Sequence, residues 1–259
     1  MPNKNKYNTA ELVAVLSSRT LENNKVVFVG AGLPLISAAL AQRTHAPNLR
    51  ILFEGGIISP EILIGGLPLS TNESRAAYKA VMLPSPTDLF SLQQRGYIDY
   101  GFLGGAQIDK FGNLNTSFIG DAENPKVRLP GSGGGNDIIT SCTKTIIATH
   151  HEKRRFVEKV DFITSPGYLN GNKDRENNGL IFGKIYKVIT HLAIFEFDEK
   201  SKLMKLAAIH PGVKVNEVIE NTGFKPIIPK NVAITKAPTD KELKILRELD
   251  PDKRYTSER

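Results

Sequence analysis

Apolar positions along the chain keep two different periods, and these divide it into helices and strands. Leu12, Val13 and Leu16 share one helical face, and Asn8-Thr9-Ala10-Glu11 ahead of them reads as a capping box. Asn23-Asn24 breaks that helix, and the β-branched run Lys25–Val29 reads as a buried strand. It ends in Gly30-Ala31-Gly32-Leu33-Pro34, where the proline suits the first turn of a helix carrying Leu35, Ile36, Ala39 and Leu40. The apolar run Leu49-Arg50-Ile51-Leu52-Phe53 then closes a β-α-β unit, which implies a parallel pair with a right-handed crossover.

Further on, Ala77–Met82 reads as a strand, and Ser85-Pro86-Thr87-Asp88 opens a helix that Gly96 stops. A strand from Ile98 runs into Gly104-Gly105, and Asp109 to Asn113 reads as a hairpin turn. Strand-like sequence resumes at Lys144–Ala148. The runs 160–164, 185–190, 192–197 and 203–207 then suggest an antiparallel edge to a mixed sheet. Val215–Ile219 reads as a short helix. Thr239-Asp240-Lys241-Glu242 is a further capping box, with Leu243, Leu246 and Leu249 on one face and Asp250-Pro251 as the stop. No linker or repeat interrupts the pattern. A single α/β domain over residues 1–259 is expected, its core at about 8–250 and its last residues frayed.

Composition narrows the class. An apolar fraction of 40% in 259 residues supports a buried core. No apolar run approaches the ~20 residues that span a bilayer, and the polar N-terminus lacks a signal-peptide segment, so a cytoplasmic protein without membrane association is expected. The single cysteine, Cys142, fits a reducing compartment and a packing role. A net charge of +7 favours anionic partners, but no zinc-finger spacing or RNA-binding aromatic signature is present, so no nucleic-acid partner is expected. His150, His151, His191 and His210 lie without carboxylate or cysteine partners at ligand spacing, and no metal is expected.

The candidate chemistry lies where strands end. Glu54 closes an apolar strand and is followed at once by Gly55-Gly56. Strands of open α/β sheets deliver reactive groups at their carboxyl ends, and glycine lets a substrate approach the backbone. A carboxylate so held serves as nucleophile or base, or is a solvated strand end. Gly30-Ala31-Gly32 matches a dinucleotide fingerprint poorly, because Leu35 falls where a small residue is required. Gln107 either holds an acyl group through its amide or caps a strand. Gly131-Ser132-Gly133-Gly134-Gly135 leaves backbone N–H groups free for a phosphate or a developing oxyanion, and lacks the Lys-Ser/Thr ending of a nucleotide loop.

Taken in order, these pieces resemble the β subunit of family I coenzyme A transferases, above all the β-subunit group of the glutaconate CoA-transferases. The resemblance is carried by Glu54-Gly55-Gly56-Ile57-Ile58, Gly105-Ala106-Gln107-Ile108-Asp109 through Gly112-Asn113-Leu114-Asn115, and Pro130 to Gly135. Phe156 to Thr164 and His210-Pro211-Gly212-Val213 extend it. It implies the CoA-transferase (NagB/RpiA-like) fold, an open, mostly parallel mixed sheet flanked by helices. It implies Glu54 as the nucleophile that carries CoA as a glutamyl thioester during ping-pong transfer from an acyl-CoA to a carboxylic acid. Gly131, Gly133, Gly134 and Gly135 would then form the CoA-side or oxyanion loop. Gly30 and Gly32 would shape the floor of the site, with Gly55, Gly56, Gly104, Gly105 and Gln107 lining it. The family's acid motif is typically Glu-Asn-Gly, and Gly55 stands here in place of the asparagine. The resemblance also implies a separate α-type chain as partner and no permanently bound cofactor, the CoA thioester being substrate. Relatives that hydrolyse or ring-cleave CoA thioesters give a second reading, and a non-catalytic acyl-CoA-binding role a third.

Overall fold

The computed structural model describes residues 6–257, which form two compact units: residues up to Phe102 together with those from Ala237 onward, and Leu103–Lys236. In the first unit, helix α1 (Thr9–Ser18) starts at Asn8, whose side chain accepts from the Glu11 N–H while the Glu11 carboxylate accepts from the Asn8 N–H. Strand β1 (Val26–Phe28), helix α2 (Leu33–Thr44) and strand β2 (Arg50–Phe53) make the expected β-α-β unit, with β1 and β2 parallel. β3 (Ile57–Ile58) returns antiparallel to β2. Helix α3 (Pro86–Gln94) opens with the Ser85–Asp88 box, and β4 (Tyr100–Leu103) pairs parallel with β1.

The C-terminal helix, Asp240–Leu249, buries Leu243, Leu246 and Leu249 and packs with α1 and α2. Ion pairs Arg19–Glu242 and Arg247–Glu11, each 2.7 Å, tie it to α1. The tail beyond it is not frayed through residue 257. The Asp250 carboxylate accepts from the N–H groups of Arg254, Tyr255 and Thr256, and the Tyr255 hydroxyl donates to the Pro68 carbonyl at 2.7 Å.

In the second unit, hairpins β5 (Gln107–Ile108)/β6 (Leu114–Asn115) and β7 (Phe118–Gly120)/β8 (Pro125–Arg128) precede helix α4 (Gly135–Ser141). Strand β9 (Lys144–Ala148) and helix α5 (Asp174–Asn177) follow. β10 (Lys184–Ile189), β11 (Ala193–Phe197) and β12 (Met204–Ile209) come next, then helix α6 (Val215–Glu220) and β13 (Ala233–Ile234). β10, β11 and β12 are antiparallel as expected, flanked by parallel partners β9 and β13. Ile147, Ile185, Val188, Phe195, Met204 and Leu206 bury themselves against Ile108, Leu114, Ile139 and Phe156.

Two expected strands are not strands. Residues 74–77 form a 3₁₀ turn and Lys79 has a left-handed φ of 49°, so only Val81 and Met82 reach the backbone of Ile58. Residues 160–164 stay off the sheet: side chains take the first two N–H groups, and the Thr164 N–H donates to the Leu114 carbonyl at 2.9 Å. The Asp109 carboxylate accepts from Val160, and Gln107 Oε1 from Asp161 at 3.0 Å. Among the described residues no helix is long and apolar enough to cross a membrane.

Candidate active site

Register fixes the neighbours of the acid. β1 and β2 run in step, Val26 beside Arg50 and Phe28 beside Leu52, and the Val29 N–H donates to the Leu52 carbonyl at 3.0 Å. Both strands then leave the sheet at their carboxyl ends, one as Gly30-Ala31-Gly32 and the other as Glu54-Gly55-Gly56. Glu54 is half-buried, and no described residue pairs with its carboxylate. Gly30 is exposed and nothing lies within 4 Å of where a Cβ would stand. Gly32 (φ 106°) turns the chain into α2, whose N-terminal end carries the positive side of the helix dipole.

The two glycines after the acid have separate causes. The Gly56 N–H donates to the Phe53 carbonyl at 3.0 Å and its φ is 82°. A Cβ there would lie 2.0 Å from the Pro84 carbonyl oxygen. Gly55 was expected to leave room for substrate. That room is filled by the chain itself, since a Cβ at Gly55 would lie 2.5 Å from Asn72 Oδ1 and 2.8 Å from the Thr71 carbonyl oxygen. Sequence reasoning missed Asn72, and no spacing relative to Glu54 marks it.

In the second unit the glycine loop has two halves. Gly131 (φ 94°) and Gly133 (φ 48°) have open space at their Cβ positions, and the Gly131 N–H donates to the Thr116 carbonyl at 2.8 Å. Gly134 and Gly135 are buried, and a Cβ on Gly135 would meet Ser165 Oγ at 3.2 Å. The loop leads into α4 rather than into a strand. Gly104 is exposed, whereas Gly105 packs against Leu114 and its carbonyl accepts from Arg155 at 2.7 Å.

Gln107 is occupied internally. Its amide donates to Asp161 at 3.1 Å, and its oxygen accepts from Asn115 at 2.8 Å as well as from the Asp161 N–H. The side chain is buried among these partners, so it holds the hairpin rather than facing an acyl group. Asp109 and Asn113 continue the same network. Asp109 accepts from the N–H groups of Phe111 and Asn113, and Asn113 Oδ1 from those of Gly167 and Leu169. Burial pushes the Asp109 carboxyl upward against these hydrogen bonds.

Two of the four candidate histidines, His151 and His210, are held inside the fold. His151 is buried, stacked on Phe156, with Nδ1 3.2 Å from Thr190 Oγ1 and Nε2 2.9 Å from Thr222 Oγ1. Burial, with His191 and His210 adding, lowers its pKa to about 3. His210 Nε2 lies 2.8 Å from the Thr190 carbonyl and Nδ1 2.9 Å from Thr235 Oγ1. Among the described residues no three His, Cys, Asp or Glu side chains converge as metal ligands would.

A carboxylate at a strand end, beside an open glycine turn on the neighbouring strand, is an arrangement that can serve a nucleophile or a base. A family model described as Coenzyme A transferase matches residues 10–221. The chain belongs to the coenzyme A transferase family. This CoA-transferase chain is 40% identical over 245 residues to the B-type subunit of 3-oxoadipate CoA-transferase from Pseudomonas knackmussii, covering 94% of each chain. It is 38% identical over 257 residues to the B-type subunit of glutaconate CoA-transferase from Acidaminococcus fermentans, covering 96% of this chain and 95% of that one. The crystal structure of the Acidaminococcus fermentans glutaconate CoA-transferase superposes with a TM-score of 0.91 at 35% identity, over 99% of this chain and all of that one. The expected α/β CoA-transferase fold is thereby borne out, and the chain is a β-type CoA-transferase subunit.

Proposed function

We propose that this chain passes CoA from an acyl-CoA to a carboxylic acid through a covalent intermediate on Glu54. The observation that carries this reading is the half-buried Glu54 at the end of β2, beside the open Gly30–Gly32 turn that ends β1. A Glu54 oxygen attacks the thioester carbon, the C–S bond breaks, and an acyl–glutamyl anhydride and CoA thiolate form. The thiolate attacks the glutamyl carbonyl, frees the first carboxylate and leaves Glu54 as a CoA thioester. An acceptor carboxylate then reverses both steps, and Glu54 is regenerated with no net proton change. A carboxylate is a poor nucleophile in water, so donors aimed at the developing oxyanion are required, each worth roughly 2.7–4 kcal/mol of barrier.

The relatives are named for 3-oxoadipate and glutaconate, and we infer a dicarboxylic acyl group for this chain. Both are named as one lettered subunit of their enzyme, which supports a separate α-type chain as partner. The net charge of +7 suits the phosphates of CoA, with the thioester as substrate and no resident cofactor. The whole chain would serve as one β-subunit domain, in the reducing cytoplasmic compartment that its single cysteine fits.

The test is Glu54→Gln in the two-subunit enzyme, with CoA exchange between succinyl-CoA or glutaryl-CoA and added carboxylates followed directly. Ping-pong exchange that Glu54→Gln abolishes supports the reading. CoA released only as free thiol, whatever acid is added, would make the chain part of a hydrolase.

A further inference from the structure

Gly55 has no backbone reason to be glycine, because it lies outside the left-handed region that Gly56 occupies. What forbids a side chain is the turn at 70–73. Asn72 Oδ1 at 2.5 Å, the Thr71 carbonyl oxygen at 2.8 Å and Asn72 Cα at 3.3 Å all crowd the Cβ position. The turn is braced from several sides. The Asn72 N–H donates to Ser70 Oγ at 3.2 Å, and the Ala76 N–H to the Glu73 carbonyl at 2.9 Å. Ahead of it, the Pro68 carbonyl is held by the Tyr255 hydroxyl.

The same contacts orient the Asn72 amide. Its Oδ1 faces Gly55 and accepts from Thr71 Oγ1 at 3.4 Å, which leaves Nδ2 as the amide's other end. Asn72 is exposed, and no described residue accepts from its Nδ2. An amide donor with two protons to give therefore sits on the residue that follows the acid.

We propose that Asn72 is a specificity-determining residue whose Nδ2 donates to an acceptor oxygen of the acyl group, beyond the thioester carbon, while Glu54 reacts with that carbon. Gly55 is glycine so that this amide reaches the site from a different segment of chain. The proposal rests on Glu54 being the nucleophile.

Three thioesters test it in the intact two-subunit enzyme: glutaryl-CoA and acetoacetyl-CoA, which carry such an oxygen, and butyryl-CoA, which does not. Asn72→Ala should lower kcat/KM for the first two by about 10-fold or more, the scale of one lost hydrogen bond in a closed site, and change butyryl-CoA by less than about twofold. Asn72→Asp keeps the shape and removes the donor. It should lose acetoacetyl-CoA to a similar extent and glutaryl-CoA further, through like-charge repulsion. A merely structural role would move all three substrates together. Equal losses on all three, no loss on any, or a wild-type enzyme that turns over butyryl-CoA alone overturns the proposal. Turnover that survives Glu54→Gln rejects the nucleophile itself, and the Asn72 proposal with it, so the two failures are told apart.

Discussion

Gly30→Ala separates the use of an open glycine from its folding role. Gly30 has no positive φ and no atom within 4 Å of a Cβ, so the added methyl meets only space. Removing a glycine from the unfolded ensemble stabilises by about 0.4–1 kcal/mol where the native backbone accepts alanine. The urea midpoint of Gly30→Ala should therefore equal or slightly exceed that of the wild type. Gly56→Ala is the contrast. Its left-handed φ costs about 1–2 kcal/mol, and a Cβ 2.0 Å from the Pro84 carbonyl adds overpacking of about 1–3 kcal/mol. Activity should follow a different order from stability. If the floor beside Glu54 receives the acyl or pantetheine chain, one methyl in it is worth about 1–3 kcal/mol, or roughly 10–200-fold in kcat/KM. Urea titration and steady-state exchange kinetics on the two-subunit enzyme measure both quantities. A Gly30→Ala enzyme with wild-type kcat/KM for every acyl-CoA accepted would refute the assignment of this turn to the site.

Other predictions concern the scaffold. Gln107→Ala should destabilise the second unit by about 1–3 kcal/mol, since it leaves the buried Asn115 amide with only its bond to the Phe118 carbonyl and frees the Asp161 N–H, and any activity loss should track the loss of folded protein in circular dichroism. Arg175, 4% exposed, donates to the carbonyls of Pro166, Gly167, Ile139 and Phe182. Arg175→Met leaves these four acceptors without it, and a loss under about 1 kcal/mol by urea denaturation would argue against their importance. His151 titrates at about 3 when folded against 6.5 as the unperturbed side chain, so below pH 6.5 the unfolded chain binds the extra proton. Its contribution is therefore intact above that pH and is lost as pH falls toward 3, at about 1.4 kcal/mol per pH unit in mid-range. His151→Asn should flatten the acid limb of stability against pH by that slope, and identical slopes would refute the neutral, buried assignment.

What the sequence disclosed depended on how local each signal was. The capping residues Asn8, Ser85 and Thr239 bond to groups three residues away, and all three helix starts were legible. The β1–α2–β2 unit was legible because glycine, proline and apolar spacing agree within one short stretch. Residues 160–164 misled because an apolar run looks the same whether a strand or a distant side chain takes its N–H groups. Here Asp109 takes the Val160 N–H, and Gln107, 54 residues away, takes that of Asp161. The β7/β8 hairpin was missed because Pro125–Arg128 is a four-residue, largely exposed strand that opens on a proline. In the site, Glu54 and its glycines stood out, but Gly55 did not disclose what it makes room for. Ser70-Thr71-Asn72-Glu73 reads as any polar turn until folding sets it on the acid's neighbour.

The central claim is a covalent bond to Glu54, and trapping it is the most direct measurement. The two-subunit enzyme would be incubated with an acyl-CoA and no acceptor acid, treated with borohydride, digested and sequenced by mass spectrometry. The account predicts that Glu54 is reduced to the alcohol only when acyl-CoA is present, in step with loss of activity. An enzyme that still exchanges CoA, with its Glu54 peptide unmodified, would contradict it.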